Sequence, residues 1–233
     1  MSGTIQPDDF LPVIGVQLPS SIKTNVLALA HLHLKAGWHP APVHSFTLPL
    51  WYRGTYDEQQ AARERAVIFD RSHLGRFYVT GEKAAEVLGR VFATDPATIA
   101  LNQARRAIVC REDGTILDIS TLCHLDEGRW LVITGPRMQT VLRETIEKYI
   151  EPGEDVEIRD RLGESVMLAV VGPEAAHMLE AVVGTTIPGA VPVGEAHELL
   201  LGGYRALVAH DRELGEEVLR THRKSERSLS GYR

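Results

Sequence analysis

Apolar residues recur along this chain with two periods, and the switch between them marks the elements. Ala84, Val87, Leu88 and Val91 fall at helical spacing and, with Thr80-Gly81 just before, predict a helix over 82–92. A second amphipathic helix is predicted over 138–150 and a third over 173–183, while 56–67, rich in Glu, Gln, Ala and Arg, reads as a polar helix. Strand-like runs occupy 77–80, 106–111, 115–125, 129–134, 156–160 and 165–171. Glu112-Asp113-Gly114 and Asp126-Glu127-Gly128 separate three of these runs, and an acid followed by glycine between apolar runs is a hairpin turn signal. A further hairpin is predicted over 198–208 through Gly202-Gly203. Helices and antiparallel strands alternate without a βαβ rhythm, so the expected class is α+β.

The two ends lack this order. Residues 1–43 carry Pro7, Pro12, Pro19, Pro40 and Pro42 around one helix-compatible stretch, 22–36, and read as a partly ordered leader to a folded region over 44–216. In 217–233 five Lys or Arg stand against two Glu, with no apolar periodicity after Leu219, which predicts a basic disordered tail.

Composition narrows the function classes. With 233 residues and 44% apolar content the chain can bury a substantial core. A net charge of −6 offers no global basic field for nucleic acid. Cys110 and Cys123 are the two cysteines, too few for a disulfide scaffold or a zinc finger. The first 20 residues have no basic segment, and no apolar run approaches the ~20 residues that span a bilayer, so a cytoplasmic protein without membrane contact is expected.

The candidate chemistry gathers in two places. Asp70, Ser72 and His73 put an acid, a hydroxyl and an imidazole within four positions ahead of Gly75. A working triad assembles distant elements, so these groups read as turn-forming residues with polar atoms beside a ligand. About forty residues on, Asp113-Gly114-Thr115-Ile116-Leu117-Asp118 ends in an acid on a predicted strand, where Asp118 and Ile119 must point to opposite faces. Arg76 reads as a fork for a carboxylate tail or as a surface salt bridge. Trp51 and Tyr52 could stack on a planar ligand or belong to the core. His31, His33, His39 and His44 have no acid among them and no paired helical spacing, so no metal site is expected.

Taken together, Phe69-Asp70-Arg71-Ser72-His73-Leu74-Gly75, Val79-Thr80-Gly81, Thr94-Asp95-Pro96, 113–118, 126–134 and Val171-Gly172-Pro173 resemble the folate-binding aminomethyltransferase family, typified by the T protein of the glycine cleavage system. The resemblance extends from about Tyr52 to Glu216, with Tyr56, Glu58 and Ala61 in its helical segment. It implies an aminomethyltransferase folate-binding fold of antiparallel strands with packed helices. It also implies a tetrahydrofolate cofactor, a small one-carbon donor, a lipoyl carrier protein as partner, and transfer of an aminomethyl or methyl group. By the same resemblance Asp118 would be catalytic, and Tyr52, Ser72, His73, Thr134 and Glu216 would hold the cofactor. Two departures stand out: Ile119 fills the position of a second acid, and Gly135 or Thr134 falls where the family carries Asn. The C-terminal β-barrel of such proteins has no counterpart after Glu216, which suggests a shortened or frame-altered version. The alternatives are a folate-dependent aryl O-demethylase, prompted by Trp51, Tyr52 and Trp130, and a non-catalytic folate-binding accessory protein in iron-sulfur cluster maintenance. The latter's cysteine motif is absent around 212–217.

Overall fold

A computed structural model describes residues 25–162, 165–184, 191–201, 204–211 and 218–224. A three-stranded sheet opens the chain, formed by β1 (Asn25–Val26), β2 (His39–Val43) and β3 (Phe46–Trp51) in the order β1-β3-β2, with helix α1 (Ala30–Lys35) between β1 and β2. Helix α2 (Thr55–Glu64) leads to β4 (Val67–Asp70) and β5 (Gly75–Thr80). Helix α3 (Ala84–Val91), strands β6 (Ala104–Cys110), β7 (Ile116–Asp126) and β8 (Arg129–Thr134), helix α4 (Gln139–Lys148) and β9 (Glu157–Asp160) follow. The remainder is β10 (Ser165–Val171), α5 (Ala175–Val183), β11 (Ala196–Leu201), β12 (Tyr204–Asp211) and β13 (Val218–Lys224). Two antiparallel five-stranded sheets result, ordered β6-β7-β8-β5-β9 and β11-β12-β13-β10-β4.

Strand alternation sorts the core into layers. Leu122, Trp130 and Val132 face α3 and α4, packing with Val87, Leu88, Leu142 and Ile146. Their neighbours Cys123, Leu131 and Ile133 point the other way and meet Met167, Leu207 and Ala209 of the second sheet. That sheet in turn covers α5 through Val170, Val208 and Ala175. The order is therefore helices, sheet, sheet, helix, which is the expected α+β class of antiparallel strands with packed helices, and no barrel occurs among the described residues.

Two segments depart from the sequence expectation. The helix predicted over 56–67 stops at Glu64, and Val67–Asp70 forms an edge strand beside β10. A β-branched pair followed by phenylalanine suits a pleated, half-buried surface better than a helix end. Within the stretch expected to be a tail, residues 218–224 form β13, which is hydrogen-bonded on both sides, to β10 and β12. Two ladders supply what local patterning does not. Residues 225–233, and the predicted leader up to residue 24, lie outside the described residues.

Gly172 ties α2 to this sheet. Its φ is +127°, and a Cβ there would lie 2.5 Å from the Arg65 carbonyl oxygen and 2.9 Å from that of Ala62, so only glycine admits this approach.

Candidate functional site

The turn 70–75 runs from β4 of one five-stranded sheet to β5 of the other, and a chain of local bonds sets its shape. Asp70 closes β4 opposite Leu168. The Arg71 N–H donates to the Met167 carbonyl at 2.8 Å, the Met167 N–H donates to Ser72 Oγ at 3.1 Å, and the Ser72 N–H donates to Asp70 Oδ1 at 2.8 Å. Ser72 is thus committed to β10 and is not among the residues lining the cleft beside the turn, so the structure gives it a turn-forming place.

Arg76 is neither a carboxylate-tail fork nor a surface salt bridge. It is fully buried, and its guanidinium donates to Ser165 Oγ at 2.7 Å and to the carbonyls of Ser72 at 3.0 Å, Leu74 at 2.8 Å, Leu162 at 3.1 Å and Ser165. Burial pulls its pKa down to about 10. These five bonds staple the turn to the start of β10.

On one side of the turn lies a cleft of about 950 Å³. Tyr52, Glu58, Phe69, Asp70, Arg71 and His73 contribute to its wall. Leu50, Ile68 and Phe69, each about half exposed, bring apolar surface to it. Glu58 reaches back from α2 to accept the backbone N–H groups of Tyr52 at 2.6 Å and Arg53 at 3.1 Å, which fixes where Tyr52 enters. The Tyr52 hydroxyl meets His33 Nδ1 at 2.8 Å, and His33 Nε2 meets Asp70 Oδ2 at 2.8 Å. Burial and the nearby Asp70 and Glu58 carboxylates push the Tyr52 phenol up to about 12. Burial alone would raise the Asp70 carboxyl, but hydrogen bonds from His33 and Ser72 outweigh it and hold Asp70 below the usual range.

His73 is buried against the edge of Phe46, with ring centroids 6.3 Å apart. Its Nδ1 has no hydrogen-bond partner among the described residues. Burial, with the Arg71 guanidinium second, pushes its pKa down to about 4. An unfolded histidine binds its proton near 6.5, so the folded state loses stability as pH falls from about 6.5 to 4. Asp70 adds to this at the acid end: its contribution is present above the unfolded carboxyl value and is lost as pH falls through its lower folded one. Urea titrations are expected to show the unfolding free energy falling by on the order of 2 kcal/mol between pH 7 and pH 4.5, and less in His73→Gln; a flat profile would contradict the burial assigned to His73.

Beyond the other end of the turn sits Asp118. Thr134 of β8 pairs with Gly75 of β5, and Asp118 and Ser120, two residues apart on β7, share a face. Asp118 Oδ2 accepts from Ser120 Oγ at 2.6 Å and from Thr134 Oγ1, a very short contact. Glycine at 75 and 135 lets this corner pack closely: a Cβ at 75 would crowd Thr134 and Gln139 at 2.5 Å, and one at 135 would stand 3.3 Å from Asp118 Oδ1. The corner lies beside the start of α4, where the Gln139 side chain donates to the Arg76 carbonyl at 3.3 Å. Ile119 points away from it and is about half exposed.

The predicted residues therefore divide. Tyr52 and His73 share the cleft, Thr134 and Asp118 share the carboxylate corner, Ser72 secures the turn between them, and Glu216 lies outside the described residues. Phe69 lines the cleft and Asp118 does not. Sequence reasoning missed His33 and Arg76 as determinants of this region. His33 is one of three histidines in the stretch read as leader, and nothing local marks its contact with Asp70, 37 residues away.

Comparison with known proteins places the chain. The model of the GCVT N-terminal domain matches residues 29–215. An aminomethyltransferase of Symbiobacterium thermophilum is 31% identical over 188 residues, covering 77% of this chain and 49% of that protein. One from Streptomyces coelicolor is 31% identical over 210 residues, covering 90% and 56%. Among solved structures, the glycine cleavage system aminomethyltransferase T of Bartonella henselae superposes with a TM-score of 0.77 at 25% identity, over 86% of this chain and 54% of that one. Heterotetrameric sarcosine oxidase from Corynebacterium sp. U-96 shares the fold, with a TM-score of 0.55 at 13% identity, over 84% of this chain and 85% of that one. The chain spans about half the length of the curated relatives it matches.

Proposed function

Since the chain belongs to the GCVT N-terminal domain family, we propose that it binds a reduced pteridine in the Tyr52–His73 cleft and takes part in moving the one-carbon unit of an aminomethyl group onto it, the amino nitrogen leaving as ammonia. The observation that carries this reading is the cleft itself. Its volume of about 950 Å³ is at the upper end of small-molecule sites. Half-exposed Leu50, Ile68 and Phe69 offer faces for a planar ring, and Tyr52 and His73 bring polar side chains to the same wall, where a ring N–H or amino group finds partners. The donor set therefore fits a pteridine. Tetrahydrofolate, when bound, would supply the nitrogens that carry the one-carbon unit.

The work left to the protein is orientation and proton handling. Tyr52 and His73 orient the ring, while Asp118 is the carboxylate suited to hold a proton. Its Oδ2 is already saturated by two hydroxyls, and no bond to Oδ1 occurs among the described residues, so one oxygen is fixed and the other is available. The one-carbon donor would be carried on a lipoyl arm. The relatives are aminomethyltransferases, which favours this transfer over demethylation. Trp130, one prompt for the demethylase alternative, is fully buried and stacked on His124 with centroids 4.1 Å apart, out of reach of a substrate. A second reading, folate binding without turnover, draws support from the absence of Asp118 from the cleft wall. A transfer assay with an aminomethylated lipoyl carrier and tetrahydrofolate separates the two: methylene-folate formation supports transfer, and binding without product supports the second.

The chain's setting is also a proposal. Among the described residues no helix is long and apolar enough to cross a membrane. We place the protein in the cytoplasm, where reduced folates and lipoyl carriers meet.

A further inference from the structure

We propose that Asp70, acting through His33, fixes the Tyr52 hydroxyl as a hydrogen-bond acceptor toward the cleft, so that this wall selects a ligand presenting an N–H or O–H donor. The inference rests on the cleft being the pteridine site and goes on to assign the polarity of one contact.

The Asp70 side chain is fully buried and is held as the carboxylate, which accepts and cannot donate. His33 Nε2, 2.8 Å away, must therefore carry a hydrogen. In a neutral imidazole the other nitrogen is then a lone pair, so Nδ1 accepts, and the partner 2.8 Å from it, the Tyr52 hydroxyl, donates. The phenol, with its pKa near 12, keeps that hydrogen throughout the working range. Its hydrogen is committed to His33, and only oxygen lone pairs remain for the cleft. Packing holds the arrangement: the His33 ring stacks on Trp38 with centroids 5.4 Å apart, and Glu58 anchors the backbone at Tyr52. Asp70 and His33 are positioning residues here, since neither needs to touch the ligand.

Asp70→Asn should invert this order, and the reason is Ser72. The Ser72 N–H donates to Oδ1, so the asparagine oxygen is retained there and its amide nitrogen faces His33. The amide then donates to Nε2, the ring hydrogen moves to Nδ1, that N–H donates to the Tyr52 oxygen, and the phenolic hydrogen turns into the cleft. The site changes from acceptor to donor without loss of a side-chain contact.

The test uses the full chain labelled with ¹⁵N-histidine at pH 8, with tetrahydrofolate as the calorimetric probe. In the wild type the His33 resonances are expected to report the Nε2–H tautomer, and in Asp70→Asn the Nδ1–H tautomer, a change that loss of packing alone would not produce. Tetrahydrofolate affinity is expected to fall at least tenfold in both Asp70→Asn and Tyr52→Phe. Tyr52→Phe retains the Asp70–His33 contact and serves if Asp70→Asn does not fold. A wild-type Nδ1–H tautomer, or equal affinity in wild type and Tyr52→Phe, overturns the proposal. Absence of tetrahydrofolate binding in the wild type would remove the pteridine reading, while the predicted pair of tautomers would still support the hydrogen order.

Discussion

Replacing Arg76 by methionine is expected to destabilise the fold by about 3–5 kcal/mol, measured as a shift in urea unfolding at pH 7. The guanidinium has five N–H donors, and the structure gives each an acceptor around the turn 70–75 and the start of β10. Methionine matches the stem but leaves four carbonyls and one hydroxyl short of a donor around a side chain that is itself fully buried. Each buried orphan costs about 1–3 kcal/mol, partly offset because the buried charge goes with the side chain. Lysine is expected to recover less than half of the loss, since a single ammonium cannot reach acceptors spread around a planar fork. A loss below about 1 kcal/mol in Arg76→Met would show that the staple is not what holds the turn.

Replacing Asp118 by asparagine is expected to slow aminomethyl transfer by on the order of 10²-fold while leaving tetrahydrofolate affinity within about twofold. Asp118 lies outside the cleft wall, so binding should be spared, and the rate reports whether its unbonded Oδ1 takes part in transfer. Asparagine preserves the size of the side chain and one acceptor for Ser120 and Thr134, which protects the fold. A single-turnover rate unchanged by the substitution would assign Asp118 to structure. The acid would then have to come from the opposite strand face, and Ile119→Asp, which places a carboxylate on that half-exposed position, is the variant that would raise the rate.

How much of this was legible in advance depends on whether the cause was local. The acid-glycine turns bounding β7, the helical spacing of Ala84, Val87 and Leu88, and the opposition of positions 118 and 119 are all properties of a few consecutive residues. Each is found in the structure. The failures have distant causes. β4 is a strand because β10 lies beside it, and β13 forms between two strands that were already in place. Arg76 looked like a surface or ligand-binding cation because nothing near it in sequence shows that residues 162 and 165 come to bury it. His33 sat in a proline-rich stretch read as leader, and its partner Asp70 was assigned to a turn; only the folded chain joins them. The site shows the same division: Tyr52 and His73 could be nominated from a motif, whereas the ordering of their hydrogens could not.

Titration of the full chain with tetrahydrofolate in a calorimeter tests the central claim, that the cleft beside Tyr52 and His73 holds a reduced pteridine. Saturable one-site binding is expected, weakened at least tenfold by His73→Ala and unaffected by changes at exposed Arg159, remote from that cleft. No heat above dilution at millimolar ligand, with the chain folded by circular dichroism, would contradict it.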